Sequence, residues 1–145
     1  MVNLEIYKNV GNLKENSNNY EFSFENGYIE IFRTTTCCDS WHYHDEGDNY
    51  ETFFSRTYKR SSLENMKNKK IFFVIILDKR PEECGEVILF SQKHYFRRTY
   101  YHTHNGYYPS SFTYYTNLQE KTVKSQTEEY FNSDSDEEEG WIKSQ

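Results

Sequence analysis

The stretch YEFSFENGYIEIFR, residues 20–33, carries the reading on which the fold turns. Asn26-Gly27 suits a two-residue type I′ turn, whose central positions both need positive φ. Built on that turn, Glu25 faces Tyr28, Phe24 faces Ile29 and Phe22 faces Ile31. Side chains alternate along a strand, so these apolar residues meet on one face while Ser23 and Glu30 pair on the other. The stretch therefore predicts an antiparallel hairpin with one buried face.

Working outward, KIFFVIILD (70–78) is apolar at nearly every position and rich in β-branched residues, as expected of a central strand covered on both faces. GEVILFSQ (85–92) should pair with it across the loop DKRPEEC. Val2, Leu4 and Ile6 alternate as a first strand would. NYETFFSRTYKR (49–60) reads as a further strand. Ser61 and Glu64 form a capping box ahead of Leu63 and Met66, which predicts a short helix over about 62–68. A second Asn-Gly at 105–106 predicts another long hairpin, from about 94 to 117, with His104 facing Tyr107 and Thr103 facing Tyr108. Pro109 lacks a ladder donor, so the returning strand should be an edge or bulged there.

Beyond residue 118 the apolar pattern fades. The fold expected is all-β and mainly antiparallel: a small sandwich or barrel of about seven or eight strands with one short helix. Residues 1–120 form the β-rich globular domain, and residues 121–145 form a disordered, flexible acidic tail.

Composition bounds the function. The 145 residues suffice for one domain with its own core. Three cysteines, two of them adjacent, do not make a disulfide framework and suggest a reducing compartment. The N-terminal stretch lacks a signal-peptide pattern, and the longest apolar run, IFFVIIL (71–77), is too short for a membrane span. An intracellular protein, cytoplasmic or nuclear and without a membrane partner, is expected. The chain has no alanine, two prolines and six glycines, but abundant Tyr, Phe, Ile, Asn and Lys. The scarce residues have GC-rich codons, so the composition suits an AT-rich genome such as those of large DNA viruses, some bacteria and some protists. Part of the aromatic wealth is thus codon bias. The net charge of −6 is also localised. Seven of the 23 acids fall within 128–139 and Lys143 lies beyond them, so residues 1–127 carry 16 acids and 16 bases.

Three groups of residues carry possible chemistry. The triplets His42-Tyr-His44 and His102-Thr-His104 each place two imidazoles on one strand face. With Cys37 and Cys38, and Asp45 or Glu46 nearby, they are the candidate ligands for zinc. Such a pair on a barrel wall resembles the cupin arrangement, which implies a metal-dependent β-barrel enzyme. The match covers only the pair. Glu51 stands seven residues beyond His44, and the later glycine and proline spacing of that pattern is absent. The simpler reading is that these histidines decorate a hairpin, and no cofactor is expected. Cysteine catalysis lacks any flanking signature.

The second group is KHYFRRTYY (93–101), where Arg97 and Arg98 interleave with Tyr95, Tyr100 and Tyr101, as on sheets that bind single-stranded RNA or DNA. The third is the tail. Ser133 and Ser135 each have an acid three residues on, which suits acidophilic kinases, and phosphate would deepen the charge. Asp134, Asp136, Glu137, Glu138 and Glu139 lie between the aromatic anchors Tyr130 and Phe131 on one side and Trp141 on the other. The leading expectation is a non-enzymatic, intracellular protein-binding or adaptor protein, viral in origin, whose partner is a protein with a basic surface. The metal-dependent enzyme and the single-strand binder are the alternatives.

Overall fold

The computed structural model describes residues 2–33, 40–54, 59–78, 83–103, 112–119 and 121–126. They form nine strands: β1 (Val2–Asn12), β2 (Glu21–Phe24), β3 (Gly27–Phe32), β4 (Ser40–Asn49), β5 (Lys70–Asp78), β6 (Glu83–Phe90), β7 (His94–Thr103), β8 (Thr113–Thr116) and β9 (Lys121–Gln126). All pairings are antiparallel. The strands build a six-stranded sheet, β4-β7-β6-β5-β1-β9, and a three-stranded sheet, β2-β3-β8. Neither sheet closes on itself, so the all-β fold is an open two-sheet arrangement and not a barrel.

β5 lies inside the large sheet and is covered on both faces, as its continuous apolar run demands. Ile71, Val74 and Ile76 join Phe22, Phe24, Ile29 and Ile31 in the core between the sheets. Phe73, Ile75 and Leu77 join Leu4, Ile6, Ile88 and Phe90 in a second cluster on the opposite face. β1 links the sheets. Its register on β5 shifts between Lys8 and Gly11. Asn9 (φ 57°) and Gly11 (φ 82°) there adopt the left-handed backbone that glycine and asparagine tolerate. Past this bulge the chain turns toward the small sheet, where Leu13 bridges Phe24 and the Asn12 carbonyl accepts from the Glu25 N–H at 3.1 Å.

Several expectations are corrected. In the β2–β3 hairpin the turn residues are Glu25 and Asn26, and Phe24 pairs with Gly27 and Phe22 with Ile29. The pairing has slid by two residues along one strand, which leaves every side chain on its expected face; alternation alone does not distinguish the two registers. The 94–117 hairpin does not form as expected. β7 has β4 on one edge and β6 on the other, while β8 pairs with β3 in the small sheet. The proposed turn at 105–106 lies outside the described residues.

The strand expected over 49–60 is not seen in its described part: Asn49 ends β4, and residues 55–58 lie outside the described residues. Tyr50–Thr52 is a 3₁₀ turn, and it brings the adjacent rings of Phe53 and Phe54 together, 4.9 Å apart, over the second cluster. A strand would send these neighbours to opposite faces. The short helix shrinks to the 3₁₀ turn Leu63–Asn65, capped by Ser62 in place of Ser61. Ser61 instead donates its backbone N–H to the Asp45 carbonyl. Residues 121–126, assigned to the tail from sequence, form β9 along the edge of β1. No helix among the described residues is long and apolar enough to cross a membrane.

Candidate functional site

β4 and β7 hold most of the metal and nucleic-acid candidates singled out in the sequence, and their pairing decides what each can do. Trp41 lies opposite His102, His42 opposite Tyr101, Tyr43 opposite Tyr100, His44 opposite Thr99 and Asp45 opposite Arg98. Residues directly opposite share a face. His102 therefore lies on the side facing the small sheet, buried and stacked on Trp41 at 4.5 Å between ring centroids. His42 and His44 lie on the other side and are exposed. The sheet itself separates them, so these three histidines cannot ligate one ion. Among the described residues, no group of three or more His, Cys, Asp or Glu is placed to hold a metal. Cys37, Cys38 and His104 lie outside the described residues.

The 93–101 face is likewise absorbed into the fold. Arg98 is 2 % exposed. Its guanidinium makes a bidentate pair with Asp45 at 2.7 and 2.9 Å and donates to the Asn18 and Asn19 carbonyls at 2.9 and 3.1 Å. The rings of Tyr43, Phe22 and Phe96 surround it. Burial pulls the Arg98 pKa down, but the hydrogen bonds and charge of Asp45 more than offset this and leave it raised. Tyr100 is fully buried and donates to the Asn19 carbonyl at 2.7 Å; burial pushes its phenol pKa up. Together Arg98 and Tyr100 clasp the 18–19 loop to the large sheet. Arg97 points the other way, to Glu46 at 3.1 Å and Glu86 at 3.8 Å, with its guanidinium over Phe53. Tyr95 is buried in the second cluster, and Tyr101 packs edge-on against His44. Neither face of β7 offers the free bases and open rings that stack a single strand.

Two other places hold converging polar or aromatic groups. One is a cleft of about 480 Å³ lined in part by Glu5, Tyr7, Asp78, Tyr114 and Lys121. Tyr7 and Tyr114 share a hydrogen bond of 2.7 Å, and Lys121 lies 3.8 Å from Glu5. Burial first, and then the Glu5 charge, pushes the Tyr7 pKa up, so its phenol serves as a donor and not as a base.

The other is the outer face of the small sheet. Ile29 and Ile31 of β3 point into the core, so Tyr28, Glu30 and Phe32 point out. On β8, Tyr115 lies directly opposite Glu30. Tyr28, Phe32 and Tyr115 are 37 %, 42 % and 51 % exposed, and they are the large hydrophobic side chains most open to solvent among the described residues. Phe32 and Tyr115 meet edge to face at 5.9 Å. Tyr28 and Phe32 are four residues apart on one face, a span of about 13 Å. Within this stripe Glu21 and Glu30 stand directly opposite each other on β2 and β3. No basic side chain among the described residues pairs with either.

None of these five residues stood out in the sequence. The available signal was that the outward positions of the hairpin, Tyr28 and Phe32, are aromatic where a solvated face needs only polar side chains. The tail residues Tyr130, Phe131, Ser133, Asp134, Ser135, Asp136, Glu137, Glu138, Glu139 and Trp141 lie outside the described residues. Compared with protein-family models, with curated proteins and with solved structures, the chain finds no match in any of the three.

Proposed function

We propose that the protein works by binding another protein, and that its body meets a basic segment of that partner through the outer face of the small sheet. The observation that carries this reading is the aromatic stripe of Tyr28, Phe32 and Tyr115 around the opposed Glu21 and Glu30. Exposed aromatic clusters mark interaction surfaces, since their burial releases water at little entropic cost. Like charges directly across a ladder destabilise a sheet. An arginine or lysine between Glu21 and Glu30 would relieve that repulsion and could rest on the neighbouring rings. The acidic tail has the same sign and would draw a basic partner in over a longer range. Viral origin, intracellular action and phosphorylation at Ser133 and Ser135 belong to the same proposal and rest on composition and tail sequence alone.

The test is an NMR titration with a nine-residue peptide of alternating arginine and valine. Shifts should concentrate at Tyr28, Glu30, Phe32 and Tyr115. The double change Phe32→Ala/Tyr115→Ala should weaken binding at least tenfold with little change in thermal midpoint, because both rings are exposed. Glu30→Gln should weaken it too. Peptide binding that is indifferent to all three substitutions, or a preference for a neutral oligosaccharide, would overturn the proposal.

A further inference from the structure

We infer that a second, separate site binds a phosphate group: the cleft of about 320 Å³ between residues 59–61, residues 65–69 and the start of β7. Lys59, Arg60, Lys69 and His94 line it, with Ser61 and Asn65 as neutral donors. One acid, Asp48, shares the lining and is engaged by Lys59 at 3.5 Å. With histidine neutral, the lining carries three positive charges against one negative. Residues 1–127 as a whole carry equal numbers of acids and bases, so this excess is local to the cleft. Arg97, Arg98, Lys67 and Lys121 each have a carboxylate within reach. Among the described residues, Arg60 and Lys69 have none.

The chain segments that carry these charges are held by backbone hydrogen bonds. Gly47 allows residues 59–61 to lie along the edge of β4: a Cβ there would come within 2.5 Å of the Tyr95 carbonyl and 3.2 Å of the Ser61 Cβ. The Gly47 N–H donates to the Lys59 carbonyl at 3.0 Å, and Arg60 bridges Glu46. Lys69 is held from both sides. Its N–H donates to the Met66 carbonyl at 3.2 Å, and its carbonyl accepts from the Leu13 N–H at 3.1 Å. His94 is pinned by its N–H to the Ser91 Oγ at 3.3 Å. Cations from two chain segments, with the His94 imidazole from a third, thus line one concavity with hydroxyl and amide donors between them, an arrangement that matches a compact dianion. A terminal phosphomonoester or free phosphate presents two charges at one point, whereas a nucleic-acid backbone spreads single charges along its length. The geometry favours the former.

The test is calorimetric titration of the full chain with inorganic phosphate and, separately, with O-phosphoserine, at constant ionic strength set with chloride. Saturable one-to-one binding of either should weaken at least tenfold in Arg60→Gln and in Lys69→Gln, both exposed positions whose thermal midpoints should be unchanged. Tighter binding of O-phosphoserine than of phosphate would assign the site to a phosphomonoester, and the reverse to the free ion. Lys67→Gln, at a cation tied to Glu64, should bind as the parent does. No saturable binding of either probe, equal weakening in Lys67→Gln, or tighter binding of a short single-stranded oligonucleotide than of both probes would overturn the inference.

Discussion

Replacing Arg98 by methionine is the sharpest test of the packing between the sheets. The substitution keeps much of the aliphatic stem and removes the guanidinium, with its two bonds to Asp45 and its bonds to the Asn18 and Asn19 carbonyls. The Asp45 side chain, 17 % exposed, then loses its bidentate guanidinium partner. Breaking a buried pair on one side costs roughly 3–5 kcal/mol, chiefly through the stranded charge. For a chain of this size about 2–4 °C is lost per kcal/mol, so the midpoint should fall by about 6–20 °C. Arg97→Met, on the opposite face, should cost about 1 kcal/mol, nearer the range of exposed pairs. Thermal and urea unfolding by circular dichroism at neutral pH would measure both. The double variant Arg98→Met/Asp45→Leu should recover most of the loss, because neither charge is then buried alone. An Arg98→Met midpoint within about 3 °C of the parent would refute this account, since so small a shift implies about 1 kcal/mol. A double variant as costly as the two single changes summed would refute it as well.

The phenols of Tyr7 and Tyr100 are held above their ordinary value of 10.0, so they are neutral in the fold and ionise more readily once it opens. Their stabilising effect is fully present below about pH 10 and is lost as pH rises beyond it, so alkaline unfolding should coincide with a late step in tyrosinate absorbance. Separate steps would show that these rings are wetter than described. Ile75→Ala and Phe24→Ala, both at fully buried positions, should each cost about 2–5 kcal/mol in urea unfolding, with a slope close to the parent's. Glu30→Gln should raise stability by about 0.2–1 kcal/mol while weakening the basic peptide, a split that a purely structural role would not produce. Deleting residues 127–145 should weaken capture of a basic partner, and raised salt should reproduce part of that loss with the full chain.

Local pattern was enough to read β2, β3 and β5 and the faces they bury. Phe22, Phe24, Ile29 and Ile31 point inward as their spacing requires, and the unbroken run at 70–78 is covered on both sides because no other placement hides every residue. The same alternation left the hairpin register open, since a slide of two residues returns each side chain to its face. The aromatic pair Phe53-Phe54 misled for a related reason: two neighbours that must be buried together need a turn, not a strand. Pairing between distant segments decided the rest. Whether His42 and His102 share a face depends on how β4 meets β7, sixty residues apart, and an HxH spacing describes only one strand. Arg98 and Arg97 are adjacent in KHYFRRTYY and chemically alike, yet one is buried against Asp45 and the other turned to Glu46, because successive side chains enter opposite environments once both faces of a sheet are occupied. Tyr115 joins Tyr28 and Phe32 only because β8 pairs with β3 in the small sheet. Composition and pattern are properties of neighbouring residues, whereas a binding face is made by residues far apart along the chain, and only the folded backbone brings those together.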